Sequence, residues 1–76
     1  MMHIEPKPGI YKHSKTGDLV RLHFIVKHSE TLEDMIVYEH LAPHEHSQFW
    51  VRPLSMWSET VNIEGKYVPR FVYVGE

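Results

Sequence analysis

Leu19-Val20-Arg21-Leu22-His23-Phe24-Ile25-Val26-Lys27 carries the clearest periodicity in the chain. Val20, Leu22, Phe24 and Val26 alternate with Leu19, Arg21, His23, Ile25 and Lys27. That period of two predicts a β-strand with one wholly apolar face. Before it, Ser14-Lys15-Thr16-Gly17-Asp18 has the small polar residues of a tight hairpin turn, with Gly17 suited to positive φ. Ile10 to His13 then forms a first strand, preceded by an extended arm through Gly9 in which Pro6 and Pro8 lack backbone donors.

After Lys27 the chain turns polar. Thr31-Leu32-Glu33-Asp34 has capping-box spacing but no long apolar helix behind it, so 28–34 reads as a turn. Met35 to Leu41 is a third strand ending before Pro43, and His44-Glu45-His46-Ser47 belongs to a loop. Gln48 to Arg52 is a fourth strand stopped by Pro53, and Leu54 to Ser58 reads as one 3₁₀ turn with Trp57 plugging a barrel end. Thr60 to Ile63 and Tyr67 to Val74 flank Glu64-Gly65-Lys66 as a last hairpin, with Pro69 marking a strand at an edge. No internal repeat, low-complexity tract or linker is visible. Five or six short strands predict an all-β domain, a small barrel or strongly curved sheet.

Composition agrees. The chain has eight Val and five Ile but one Ala, at Ala42, which is material for strands and not for helices. At 76 residues there is room for a single domain, and 42% hydrophobic with 24% charged residues is a folding composition. No apolar run is long enough to span a membrane, and no secretory signal is visible at Met1 to Pro8, so a cytoplasmic protein is expected. With no cysteine there are no disulfides, thiolate metal sites or thiol nucleophiles. A formal charge of −2 is a poor match to a phosphate backbone, and no phosphate-binding glycine loop occurs, so nucleic acid and nucleotide are not expected partners. The seven histidines stand out: protonating all of them would carry the formal charge from −2 to −2 + 7 = +5.

Several blocks taken together resemble a bacterial family of unknown function, domain of unknown function 1653. They are Tyr11-Lys12-His13 with Gly17, His28-Ser29-Glu30-Thr31-Leu32-Glu33, Val37-Tyr38, Trp50-Val51-Arg52-Pro53-Leu54 with Met56, and Val68-Pro69-Arg70-Phe71. The resemblance covers about Tyr11 to Phe71. It implies an SH3-like barrel and no known activity. Two places depart from the family pattern: Trp57 stands where phenylalanine is more familiar, and 40–46 is unusually rich in histidine.

Three groups of residues could carry chemistry. His40, His44 and His46, with Glu45, offer imidazole and carboxylate ligands for a metal ion, but Pro43 argues against the helix that would align them, and a solvated loop is the plainer reading. Trp50 and Arg52 alternate with Phe49 and Val51. Facing the latter pair to the core would send Trp50 and Arg52 outward and avoid burying a guanidinium. Tyr38 and Arg70 could join that surface, and the plainer reading pairs Arg52 and Arg70 with Glu39 or Glu59. His28-Ser29-Glu30-Thr31 holds a base, hydroxyls and a carboxylate, but adjacent turn residues more often bond their own backbone than act as a triad. His13 and His23, on strands, read as packed or surface residues.

The reading that follows is a non-catalytic binding module without a cofactor. Tyr38, Trp50, Arg52 and Arg70 would engage a peptide or small anionic ligand, and Trp50→Ala would weaken binding without loss of stability. One alternative is a histidine-loop metal protein or enzyme. The other is a structural homo-oligomer, a homodimer for instance, pairing through an edge strand at Tyr67 to Val74.

Overall fold

The computed structural model describes residues 5–76; of the expected arm, residues 1–4 lie outside the described residues. Seven strands and one helical turn follow in the order β1 (Gly9–His13), β2 (Leu19–Lys27), β3 (Asp34–His40), β4 (Phe49–Pro53), α1 (Leu54–Trp57), β5 (Thr60–Ile63), β6 (Lys66–Pro69) and β7 (Phe71–Gly75). Five strands form an antiparallel sheet in the order β4-β3-β2-β1-β7, and β5 and β6 form a separate hairpin. The fold is therefore mostly β, as expected. Among the described residues no pairing joins β4 to β7 or one ladder to the other, so the sheets do not close by hydrogen bonds into a barrel. No helix is long and apolar enough to cross a membrane among the described residues.

The strand count exceeds the expected five or six because Tyr67 to Val74 is two strands. Arg70 interrupts it: its N–H donates to Glu59 O at 2.9 Å, and its carbonyl accepts from Ser14 N at 2.8 Å. Pro69, which cannot donate, closes β6 against Thr60, and the chain passes over to pair with β1. The edge expected along Tyr67 to Val74 is thereby divided between two ladders. The expected 3₁₀ turn at 54–58 is a four-residue α-helix, Leu54–Trp57, closed by Ser58 N–H donating to Leu54 O at 3.0 Å.

The apolar face predicted for β2 is split by a bulge. The register runs Leu22 opposite Tyr38 and then Phe24 opposite Val37, leaving His23 as the extra residue. Val20 and Leu22 face the core, but beyond the bulge the alternation inverts: Ile25 packs inward while Phe24 and Val26 are exposed. His23 at the bulge holds Glu39 Oε1 through Nε2 at 2.8 Å. A pattern of period two cannot reveal one inserted residue, because each half of the strand still alternates.

The core consists of Tyr11, Val20, Leu22, Ile36, Tyr38, Trp57 and Phe71. Trp57 stacks on Phe71 with ring centres 3.8 Å apart and planes 9° from parallel, and meets Tyr11 and Tyr38 edge-on at 5.3 and 5.4 Å. These rings contribute most of the apolar area a cysteine-free chain of this size can bury.

The hairpin turns contain a repeat that the sequence analysis does not find. His13-Ser14-Lys15-Thr16-Gly17-Asp18 joins β1 to β2, and His28-Ser29-Glu30-Thr31-Leu32-Glu33 joins β2 to β3. In the first, Lys15 and Thr16 N–H donate to His13 Nδ1 at 3.2 and 3.4 Å, and Asp18 N–H donates to Thr16 Oγ1 at 3.2 Å. In the second, Glu30 and Thr31 N–H donate to His28 Nδ1 at 3.1 and 3.3 Å, and Glu33 N–H donates to Thr31 Oγ1 at 3.2 Å. The ends match as well: His13 N–H to Asp18 O and His28 N–H to Glu33 O are both 2.8 Å. Two histidines thus serve as acceptors for backbone donors, and the block at 28–31 ties its own turn, as its adjacent spacing suggests.

The fifth position of each turn is left-handed, with φ of 79° at Gly17 and 63° at Leu32. Glycine suits this conformation and leucine does not, and the Leu32 side chain is 68% exposed, so it gains little packing in return. Leu32→Gly is expected to raise stability by about 0.5–1 kcal/mol, since relief of left-handed strain outweighs the added freedom of the unfolded chain. Gly17→Leu is expected to lower it by about 1 kcal/mol or more. Urea denaturation of both variants measures the difference, and a loss of stability in Leu32→Gly would contradict this account of the turn.

Candidate functional site

The sheet register decides what β4 offers. Ile36 lies opposite Arg52, Val37 opposite Val51, and Tyr38 opposite Trp50. Ile36 and Tyr38 are buried, so Trp50 and Arg52 point inward with them, whereas Phe49 and Val51 are 57% and 59% exposed. This reverses the expected orientation of β4. The physical reason lies in β3, whose Ile36 and Tyr38 define the inner face and so fix the partners beside them. Trp50 packs against the core from partial burial, which removes the expectation that its truncation would leave stability unchanged.

The inward reversal creates a pocket. Tyr38, Trp50 and Arg52 line a cavity of about 280 Å³ together with Val20 and Phe71. His13, Thr16 and Asp18 from the first turn, His40 at the end of β3, and His44 from the following loop complete its rim. Three of the four site residues expected from sequence are therefore brought together. Arg70 is not in the lining: its Nη2 donates to Glu59 Oε1 at 3.4 Å, the pairing expected on the plainer reading. Glu39 is taken by His23, not by an arginine. His13, Asp18, His40 and His44 were not expected in one site, since nothing in their spacing shows that the β1–β2 turn and the 41–48 loop rise at the same end of the sheet.

Arg52 is the most unusual group. Its guanidinium carbon lies 5.3 Å from the Phe71 ring centre and 6.0 Å from that of Tyr38, within cation–π range of both. Its Nη1 is buried with no hydrogen-bond partner among the described residues. The nearby Arg70 also has a buried Nε without one. No carboxylate among the described residues lies within ion-pair distance of Arg52.

The histidine-rich loop encloses Trp50. Ring centres of His40, His44 and His46 lie 6.1, 5.0 and 6.5 Å from it, and His40 and His44 are 4.6 Å apart. Trp50 Nε1–H donates to Ser47 O at 2.7 Å, and the Gln48 amide donates to His40 O, which fixes the loop over the indole. His44 Nδ1 accepts the His46 N–H at 3.3 Å. Among the described residues no group of three or more histidine or acidic side chains is arranged to hold a metal ion. The rings of the loop stand as an aromatic wall beside the indole.

Burial, followed by the positive charges of Arg52 and Arg70, holds the His13 imidazole below its ordinary range, with Asp18 opposing and Lys15 adding slightly. His40 is likewise lowered, by burial first and then by His44, with Asp18 opposing and Arg52 reinforcing. His13 and His40 are thus both held toward the neutral form beside the Arg52 guanidinium. A second concavity, of about 500 Å³ and bordered by Ile63, Val68, Val72 and Val74 with Lys12 and Lys66, is largely aliphatic.

The profile of a family described as a protein of unknown function, DUF1653, matches residues 9–73. The crystal structure of a DUF1653 protein from Bordetella bronchiseptica is 35% identical in sequence and superposes with a TM-score of 0.86, over 93% of this chain and 90% of that one. No curated protein matches. A profile that spans both repeated turns, the β4 register and the Arg70 crossover leaves one assignment: this chain belongs to the DUF1653 family.

Proposed function

We propose that the chain is a non-catalytic binding module whose pocket receives a small anionic group, free or presented by a peptide, with Arg52 as its anchor. The observation that carries this is the Arg52 guanidinium, with a buried Nη1 and no partner among the described residues. Arg52 is partly buried, and leaving one of its donor nitrogens without a hydrogen bond costs about 1–3 kcal/mol, part of which the ring contacts recover. An anion in the pocket would compensate the guanidinium charge from its accessible side, and Arg is suited to carboxylate or phosphate through its forked geometry. Trp50 and Tyr38 would supply the apolar flanks, and Arg70, held by Glu59, would add positive potential from the side. The same proposal takes the architecture as an SH3-like barrel, supported by short strands bent around one aromatic core and by the helical turn between β4 and β5.

A second reading, a homodimer, has one observation in its favour. Phe24, Phe49 and Val51 expose apolar side chains on the outer face beside β4, an edge strand. A second copy pairing there would be seen as a concentration-dependent mass in sedimentation, abolished by Val51→Lys.

Arg52→Met separates binding from stability. With benzoate as probe, followed by tryptophan fluorescence, the variant is expected to bind at least about tenfold more weakly, the loss of one charge-assisted contact. Its melting temperature should be unchanged or higher, because an apolar side chain replaces a partly buried guanidinium with an unpaired Nη1. A marked fall in stability with binding intact would contradict the proposal. Trp50→Ala, by contrast, is expected to lower both binding and stability, the latter by about 2 kcal/mol for a partly buried ring.

Binding should also depend on pH. An imidazole whose pKa is lower in the folded chain than in the unfolded one binds fewer protons when folded, so His13 and His40 oppose folding as pH falls. Their unfavourable contribution is absent above the unfolded value of about 6.5 and grows as pH drops toward the lowered folded values. An anion in the pocket offsets that charge. Stability without benzoate is expected to decline between pH 7 and 5, while benzoate affinity rises over the same range; affinity independent of pH would place the anion elsewhere.

A further inference from the structure

The pocket carries two opposite charges that do not meet. Arg52 sits on its inner wall and Asp18 on its rim, yet no ion pair within 4 Å links them or engages either with another described residue. The β1–β2 turn does not consume the Asp18 carboxylate. That turn uses only the residue's backbone, its N–H donating to Thr16 Oγ1 and its carbonyl accepting from His13 N–H. The turn therefore fixes where Asp18 stands, exposed at the border of the cavity with its carboxylate unused by the turn.

We infer that the ligand is a small zwitterion of the free amino acid class, with its carboxylate on Arg52, its ammonium group on Asp18, and its side chain along the wall of Trp50 and His44. The inference rests on the anion-binding reading above and adds the second charge. Opposite charges held apart across one small cavity favour a ligand that carries both complements. A plain dianion would meet repulsion from Asp18, and a plain cation would meet it from Arg52. The cavity volume of about 280 Å³ lies just under the range typical of drug-sized ligands, which suits a single small molecule. The Tyr38 and Trp50 rings offer π faces to an ammonium group and apolar area to a side chain. The same two charges act with opposite sign on His13 and on His40, consistent with a field that runs across the pocket from Arg52 to Asp18.

Matched ligand pairs test this. L-Phenylalanine and 3-phenylpropanoate differ only in the ammonium group, as do glycine and acetate; each is titrated calorimetrically into the wild type, Arg52→Met, Asp18→Asn and Asp18→Ser, with thermal melts confirming that the variants fold. The wild type is expected to bind the amino acid at least tenfold more tightly than its deaminated partner in at least one pair. Both Asp18 variants should remove that preference while leaving 3-phenylpropanoate binding the same or tighter, and Arg52→Met should weaken both members. Absence of any preference for the amino acid in either pair, or equal losses for both members in Asp18→Asn, overturns the zwitterion and leaves the anion site standing. If Arg52→Met changes neither member, or neither member binds at millimolar concentration, the anion site falls as well.

Discussion

Trp57 lies flat on Phe71, and this stack fastens the last strand of the chain to the helical turn that follows β4. Tyr11 and Tyr38 close on the same indole from β1 and β3, so four separate elements meet on one ring system. In a chain with no disulfide to hold its termini, such a junction sets the curvature of the sheet. It also determines the site. Phe71 and Tyr38 present their rings to the Arg52 guanidinium, so the face that packs the core becomes, a few ångströms further along, the floor of the pocket. Core and site are two ends of one aromatic surface, and a large change in the stack would displace the floor beneath Arg52.

What was legible in the residues followed from local physics. β2 and β5 have the bounds their alternation and turn residues predict, and Gly17 takes the positive φ expected of it. The features that escaped are those where two segments must be compared. The β2 bulge is specified by the register of β3, and the inward turn of Trp50 and Arg52 by which face of β3 is buried. Avoiding a buried guanidinium is sound for stability alone, and it predicts the wrong face for β4 because this arrangement keeps an unfavourable group in place. Such a conflict between local preference and observed geometry is the kind expected at functional or strained positions, and it is what motivates the proposed site. The repeated turn escaped for a simpler reason: His-Ser-x-Thr followed by an acid two residues later is too short for a repeat architecture, and its equivalence lies in the hydrogen bonds, not in any period.

The candidate site is legible to a similar degree. Tyr38, Trp50 and Arg52 could be grouped from residue type, since aromatic and arginine side chains are common recognition anchors. Arg70 belongs with them by type but not by place, because the carboxylate of Glu59 and the strand crossover hold it aside. The rim could not be read, since His13 and Asp18 reach it through a turn whose form depends on an imidazole acting as acceptor.

That acceptor role changes the meaning of the seven histidines. His13, His28 and His44 each receive backbone N–H donors at Nδ1. At His13, protonation of Nδ1 would set a donor against the donors it now accepts. His23 takes a different partner: at the bulge its Nε2 meets the Glu39 carboxylate. His40 stands between these cases, pressed against His44 and Trp50 at the pocket mouth. The histidines suggested by composition as one population are thus distributed over different structural roles. For His13 and His40 at the rim, gaining a proton works against the folded chain alone, and under the proposed anion binding it would work with an anion on Arg52, so that acidity would couple the turn that shapes the pocket to its occupancy.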